Sequence, residues 1–156
     1  MSRTESTMVQ LGTTAPAFEL TDVLTGRAMS RDDVFALSWD DNLSDAANTA
    51  VTGGPAQKHG LLVMFLCVHC PFVIHVEQEI ANIARDYAGK IAFCAIMSND
   101  VAAYPDDSRP RRGDSGNDTP VTGRDLRSAL DAVIAGKRPD PNQRASIGCN
   151  IKWRES

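Results

Sequence analysis

The segment "LLVMFLCVHCPFVIHVEQEIANIARDYAGKIAFCAIM" (Leu61–Met97) changes periodicity twice, and those changes decide the fold. Leu61–Cys67 is an unbroken apolar run of strand length, the pattern of a strand covered on both faces. After Cys70 the period shifts. Val73, Val76, Ile80, Ile83 and Tyr87 recur at helical spacing, while Glu77, Gln78, Arg85 and Asp86 take the opposite side. Pro71 suits the first helical turn and Gly89 the stop. "IAFCAIM" (Ile91–Met97) is then a second buried strand. Strand, helix and strand with short joints form a βαβ unit, whose strands are parallel and whose crossover is almost always right-handed. The class expected is α/β.

Outward from this unit the signals are local. "APAFELTD" (Ala15–Asp22) alternates around Phe18 and Leu20 as a short strand would, and Thr25-Gly26 marks a turn. "SRDDVFAL" (Ser30–Leu37) opens with Ser30 as N-cap and Asp33 three residues on. "TGRDLRSALDAVIAG" (Thr122–Gly136) shows a Thr122/Asp125 capping pattern, stacks Leu126, Leu130 and Val133 on one face, and stops at Gly136. Between these elements, exposed loops are expected near 38–59, where Gly53-Gly54-Pro55 ends any helix, and near 99–122. The tail from Lys137 reads as irregular. There is no internal repeat, and residues 1–156 read as one domain.

Composition narrows the function classes. The 156 residues carry a net charge of -4 and are 42% apolar, enough for a real core. No basic stripe argues for nucleic acid, since Arg109, Arg111 and Arg112 sit among Gly, Asp and Ser as a solvated loop would. No apolar run is long enough to span a bilayer, so no membrane partner is expected. "MSRTESTMVQLG" has no hydrophobic core of a secretory signal, which makes the cytoplasm the expected compartment, where thiols stay reduced unless they cycle. Asp40, Asp41 and Asp45 lack the Gly and terminal Glu of a calcium loop and read as a plain acidic loop.

The chemistry centres on four cysteines: Cys67, Cys70, Cys94 and Cys149. Cys67 and Cys70 form a CxxC where the first strand ends and the helix begins. Unpaired N–H groups at a helix N-terminus carry partial positive charge and favour a thiolate over a thiol. Cysteines so placed, or paired as CxxC, have pKa values lowered to about 3.5–7.5. One sulfur attacks a disulfide and the other resolves the mixed disulfide. His69, when protonated, adds stabilisation to the nearby thiolate. The site therefore reads as a redox dithiol with Cys67, Cys70 and His69 as its catalytic residues, needing no cofactor and no metal.

Three other readings stand beside it. A zinc site needs four ligands, and with no second CxxC or HxxxH pair it would require Cys67, Cys70, His75 and Cys149 to converge. An inert buried pair is the second, because strand cysteines often act as small hydrophobes, the role expected of Cys94. A non-enzymatic remnant or binding domain is the third. His59 reads as a loop residue and His75 as ordinary helix packing or surface. Cys149, in "SIGCN", is a packing residue first, with a free thiol or a third redox partner as alternatives.

At this point the chain resembles a family. "LGTTAPAFEL", the segment from Leu61 to Pro105, and "DDSRP…GNDTPVTGRDLRSALDAVIAGK" through "SIGCNIKW" are together similar to the peroxiredoxin-like branch of the thioredoxin superfamily, the alkyl hydroperoxide reductase/thiol-specific antioxidant group. The resemblance implies a thioredoxin-like fold and a cytoplasmic oxidoreductase or antioxidant protein acting on protein or small-molecule disulfides and thiols, or on peroxides. By analogy with thioredoxin, Cys67 is the attacking thiol; by analogy with true peroxiredoxins, Cys70 with Pro71 falls at the peroxide-reacting position. Here, however, Cys67 replaces the peroxiredoxin threonine, Val63 stands nearest their preceding proline, and no counterpart of their arginine is evident. Dithiol exchange fits these residues better than standard peroxidase chemistry. Family members also carry several dozen residues after the position of Tyr104-Pro105: a helix, the strand entered through a cis-proline, and the last strand pair. Their absence implies an incomplete fold with an open sheet edge, prone to self-association.

Overall fold

The computed structural model describes residues 3–23, 25–36, 58–100, 102–105 and 120–152. In chain order they form strands β1 (Arg3–Glu5), β2 (Glu19–Thr21) and β3 (Ala28–Ser30), helix α1 (Arg31–Ala36), strand β4 (Gly60–Leu66), helix α2 (Pro71–Asp86), strand β5 (Ile91–Met97), helix α3 (Arg124–Ile134) and strand β6 (Ile147–Cys149). The architecture is α/β. β4 and β5 pair in parallel, from Gly60 opposite Ile91 to Leu66 opposite Met97, with α2 as the crossover. β2 and β3 pair antiparallel, and so do β1 and β6. The acidic loop residues at 40, 41 and 45, the glycines at 53 and 54, the arginines at 109, 111 and 112, and the junction beyond Pro105 lie outside the described residues. Among the described residues, no helix is long and apolar enough to cross a membrane.

Side chains alternate across a strand, so Leu62, Ile91 and Phe93 share one face of the parallel pair. There they meet Ile83 and Tyr87 from α2 and Leu126, Leu130, Val133 and Ile134 from α3. Gly60 lets α3 settle closely, because a Cβ at that position would stand 2.9 Å from Val133 Cγ1. The expectation of strands covered on both faces needs correction at the carboxyl end. Phe65 is 64% exposed and Met97 36%. Among the described residues β4 and β5 pair only with each other, so nothing there shields the last turn of the pleat.

Helix starts follow local chemistry in one case and tertiary contact in another. At α1 the expected box forms: Ser30 N–H donates to Asp33 Oδ2 at 2.9 Å, and Asp33 N–H donates to Ser30 Oγ at 3.2 Å. At α3 the expected Thr122/Asp125 box does not. Gly123 is the N-cap, at φ 60 and without a side-chain cap. A side chain has no room there, since a Cβ at 123 would stand 2.5 Å from Glu79 Oε1 and 2.9 Å from Ile83 Cδ1 on α2. The tail also departs from expectation. It is not wholly irregular, since residues 147–149 pair with 3–5, and Ser6 N–H extends the ribbon by donating to Ser146 O at 2.9 Å.

α3 is clamped to α2 by charge as well as by the core. Arg127 Nη2 lies 2.9 Å from Glu79 Oε1 and Nη1 2.7 Å from Asp86 Oδ2, while Tyr87 OH donates to Asp131 Oδ1 at 2.8 Å. Hydrogen bonds from Asn82, then from Arg127, hold the Glu79 carboxyl below its usual range. A carboxyl with a depressed folded pKa contributes stability that is present above its unfolded pKa, about 4.3, and lost as pH falls through the folded value. Glu79→Gln is therefore expected to flatten the acid limb of stability against pH, measured by urea melts from about pH 5 down to 2. An acid limb identical to that of the parent would refute the linkage.

Candidate functional site

The joint between β4 and α2 places Cys67 and Cys70 at the carboxyl end of a parallel strand pair, where α/β proteins commonly build their sites. The chain closes a tight turn as Cys70 N–H donates to Cys67 O at 3.0 Å, and Cys70 then becomes the N-cap of α2, with Pro71 as its first residue. Both sulfur-bearing residues are buried, Cys67 at 7% exposure and Cys70 at 3%. None of the four cysteines is in a disulfide in this structure.

Three further groups converge on this pair. His69 Nδ1 lies 3.1 Å from Cys67 Sγ, so the histidine serves Cys67 directly. Asn99, just past the end of β5, donates from Nδ2 to Cys67 Sγ at 3.4 Å. Its Oδ1 accepts from Lys152 N–H at 3.0 Å, which fixes the end of the amide that faces the sulfur. The third group is Cys149, whose Sγ stands 2.8 Å from Cys70 Sγ. The packing role first expected of Cys149 is thus too narrow, because its sulfur belongs to the site.

The electrostatics separate these sulfurs. Burial works against ionising Cys70. It is outweighed by the Cys149 thiol and by the N–H groups of Val73, Phe72 and Cys149 acting on the sulfur, so the Cys70 pKa is lowered. The Cys149 thiol is pushed up to about 12, by burial first, then by its hydrogen bond to Cys70 and by the charge of Cys70 and Cys67. At neutral pH Cys149 is therefore a proton-bearing donor to an acidified Cys70. Cys94, on β5, has its pKa raised by burial alone and lies on the sheet face opposite the α3 core, as an inert strand cysteine would.

Beside Asn99 an open pocket of about 240 Å³ is lined by Phe65, Met97, Ser98, Asp100, Ile151 and Lys152. Lys152 is anchored there: its carbonyl accepts from Asp100 N–H at 2.8 Å, and its ammonium sits 4.5 Å from the centre of the Tyr104 ring. Among the described residues, no set of three or more His, Cys, Asp or Glu side chains is arranged to hold a metal ion.

Sequence reading missed Asn99 and undervalued Cys149. The signal for Asn99 was slight: an amide side chain one residue past a strand end, in "SND". For Cys149 there was none beyond its being a cysteine, since its contact spans 79 residues of chain.

No protein-family description matches the sequence, and no curated protein matches it. Two solved structures resemble the chain along its length. One is an uncharacterized conserved protein from Geobacillus kaustophilus, 29% identical with a TM-score of 0.74, over 100% of this chain and 98% of that one. The other is a hypothetical protein from Sinorhizobium meliloti 1021, 28% identical with a TM-score of 0.71, over 98% of this chain and 100% of that one.

Proposed function

We propose that this chain is a thiol–disulfide oxidoreductase of thioredoxin-like fold, in which Cys67 and Cys70 exchange with disulfides of proteins or small molecules. The observation that carries the reading is the acidified Cys70 sulfur at the N-terminus of α2, one turn of chain from Cys67. A substrate disulfide attacked by Cys67 gives a mixed disulfide and one released thiol. Cys70, as thiolate, then attacks Cys67 Sγ, displaces the second substrate thiol, and leaves a Cys67–Cys70 bond. Asn99 Nδ2 and His69 Nδ1 both lie on Cys67 Sγ, the sulfur that this reading makes the attacking one. Substrate would approach past Phe65 and Met97, at the open carboxyl end of the sheet.

The reading is tested by the pH dependence of alkylation. In Cys67→Ser, where the tryptic peptide 59–85 retains only the Cys70 thiol, iodoacetamide labelling is expected to rise with a midpoint below the ordinary cysteine value of about 8.5. Cys149, on peptide 145–152, stays unlabelled across the same range. A Cys70 midpoint at or above that of free cysteine would sink the proposal. The sign for stability follows from the same shift. A depressed thiol pKa contributes stability that is present above the unfolded value and lost as pH falls through the folded one.

A further inference from the structure

We propose that Cys149 is a third redox-active thiol, which takes the disulfide over from the Cys67–Cys70 pair by forming a Cys70–Cys149 bond. This rests on the exchange reading above and adds a destination for the oxidising equivalents. Cys70 Sγ and Cys149 Sγ are 2.8 Å apart, about 0.8 Å beyond a covalent S–S bond of roughly 2.05 Å. Cys149 is held in place by backbone pairing, with β6 laid along β1 and Cys149 opposite Arg3. The Cys149 sulfur thus reaches Cys70 from the terminal ribbon, across 79 residues of chain.

The step balances without an outside oxidant. Cys149 gives up its thiol proton and its sulfur attacks Cys70 Sγ. The Cys67–Cys70 bond breaks with its electron pair on Cys67 Sγ, which ends as a thiolate or, with that proton, as a thiol. One disulfide is exchanged for another, and the original two-electron oxidation came from the substrate disulfide, reduced to two thiols. Asn99 Nδ2–H and His69 Nδ1 already stand at the leaving sulfur, 3.4 and 3.1 Å away. The reduced state also explains why Cys149 waits. While Cys70 is a thiolate, two contributions add to the burial that chiefly opposes ionisation of Cys149: the hydrogen bond to Cys70 and the negative charge of Cys70. Once Cys70 is bonded to Cys67, its charge is gone and both of those contributions vanish. The outcome is a Cys67 free to attack again while the first disulfide is stored at the terminal ribbon.

Disulfide mapping of the full chain tests this. Protein is equilibrated in glutathione redox buffers, quenched in acid, alkylated, digested with trypsin and weighed by mass spectrometry. In the wild-type chain a cross-link between peptides 59–85 and 145–152 is expected beside an internal bond within 59–85. Cys67→Ser should retain the cross-link, and Cys149→Ser should lose it while keeping the internal Cys67–Cys70 bond. If oxidised Cys67→Ser and the wild-type chain both lack the cross-link while Cys149→Ser forms its internal bond, the transfer is overturned and the exchange reading survives. If Cys149→Ser forms no internal bond, the exchange reading fails and the transfer falls with it. The wild-type map supplies a result that does not depend on either variant folding.

Discussion

Cys70→Ser is expected to lower disulfide-reductase turnover by about a hundredfold or more, because one sulfur serves every step proposed after the first attack by Cys67. It resolves the mixed disulfide on Cys67, and it is the only sulfur shared by the two disulfides. The variant should therefore accumulate Cys67 joined to substrate and show neither the bond within peptide 59–85 nor the cross-link to 145–152. Cys67→Ser should lose turnover to a similar degree yet still form the cross-link, so the two variants separate the roles. Serine is close in shape and hydrogen-bonds as a helix cap does, so circular dichroism should report an unchanged fold. Turnover of Cys70→Ser above about a tenth of the parent's, with dithiothreitol as reductant and a mixed-sequence protein disulfide as substrate, would show that the chemistry runs without the sulfur at the helix tip.

What the sequence disclosed and what it hid divide along chain separation. The βαβ unit was legible because its evidence is local: an apolar run gives way at Pro71 to helical spacing and returns to an apolar run at Ile91. The Ser30/Asp33 cap was legible for the same reason, both partners lying within one turn. The β1–β6 ribbon was not. Arg3, Thr4 and Glu5 show no apolar alternation, and they become a strand only because residues 147–149 arrive beside them. Cys149 enters the site by that ribbon, so its role was hidden with it. The exposed end of the sheet misled in another way. A continuous apolar run fits burial on both faces, but it says nothing about whether the covering elements exist, and Phe65 is open.

Gly123→Ala is expected to be more destabilising than the same change at Gly12, Gly26 or Gly136, which share its left-handed conformation, at about 2–5 kcal/mol. Two costs combine. At φ 60 any L side chain is strained, by roughly 1–2 kcal/mol. The new Cβ would also stand 2.5 Å from Glu79 Oε1 and 2.9 Å from Ile83 Cδ1. Neither neighbour yields freely: Glu79 is gripped by Arg127, and Ile83 lies in the core between α2 and α3. Displacing well-packed groups costs a further 1–3 kcal/mol or so. Gly136→Ala provides the control, since its φ of 68 imposes nearly the same backbone strain and its Cβ would meet nothing within 4 Å. Urea melts of the two variants should therefore differ by the packing cost alone, with Gly136→Ala near 1–2 kcal/mol below the parent. Equal losses would mean that the chain does not press on α2 at residue 123.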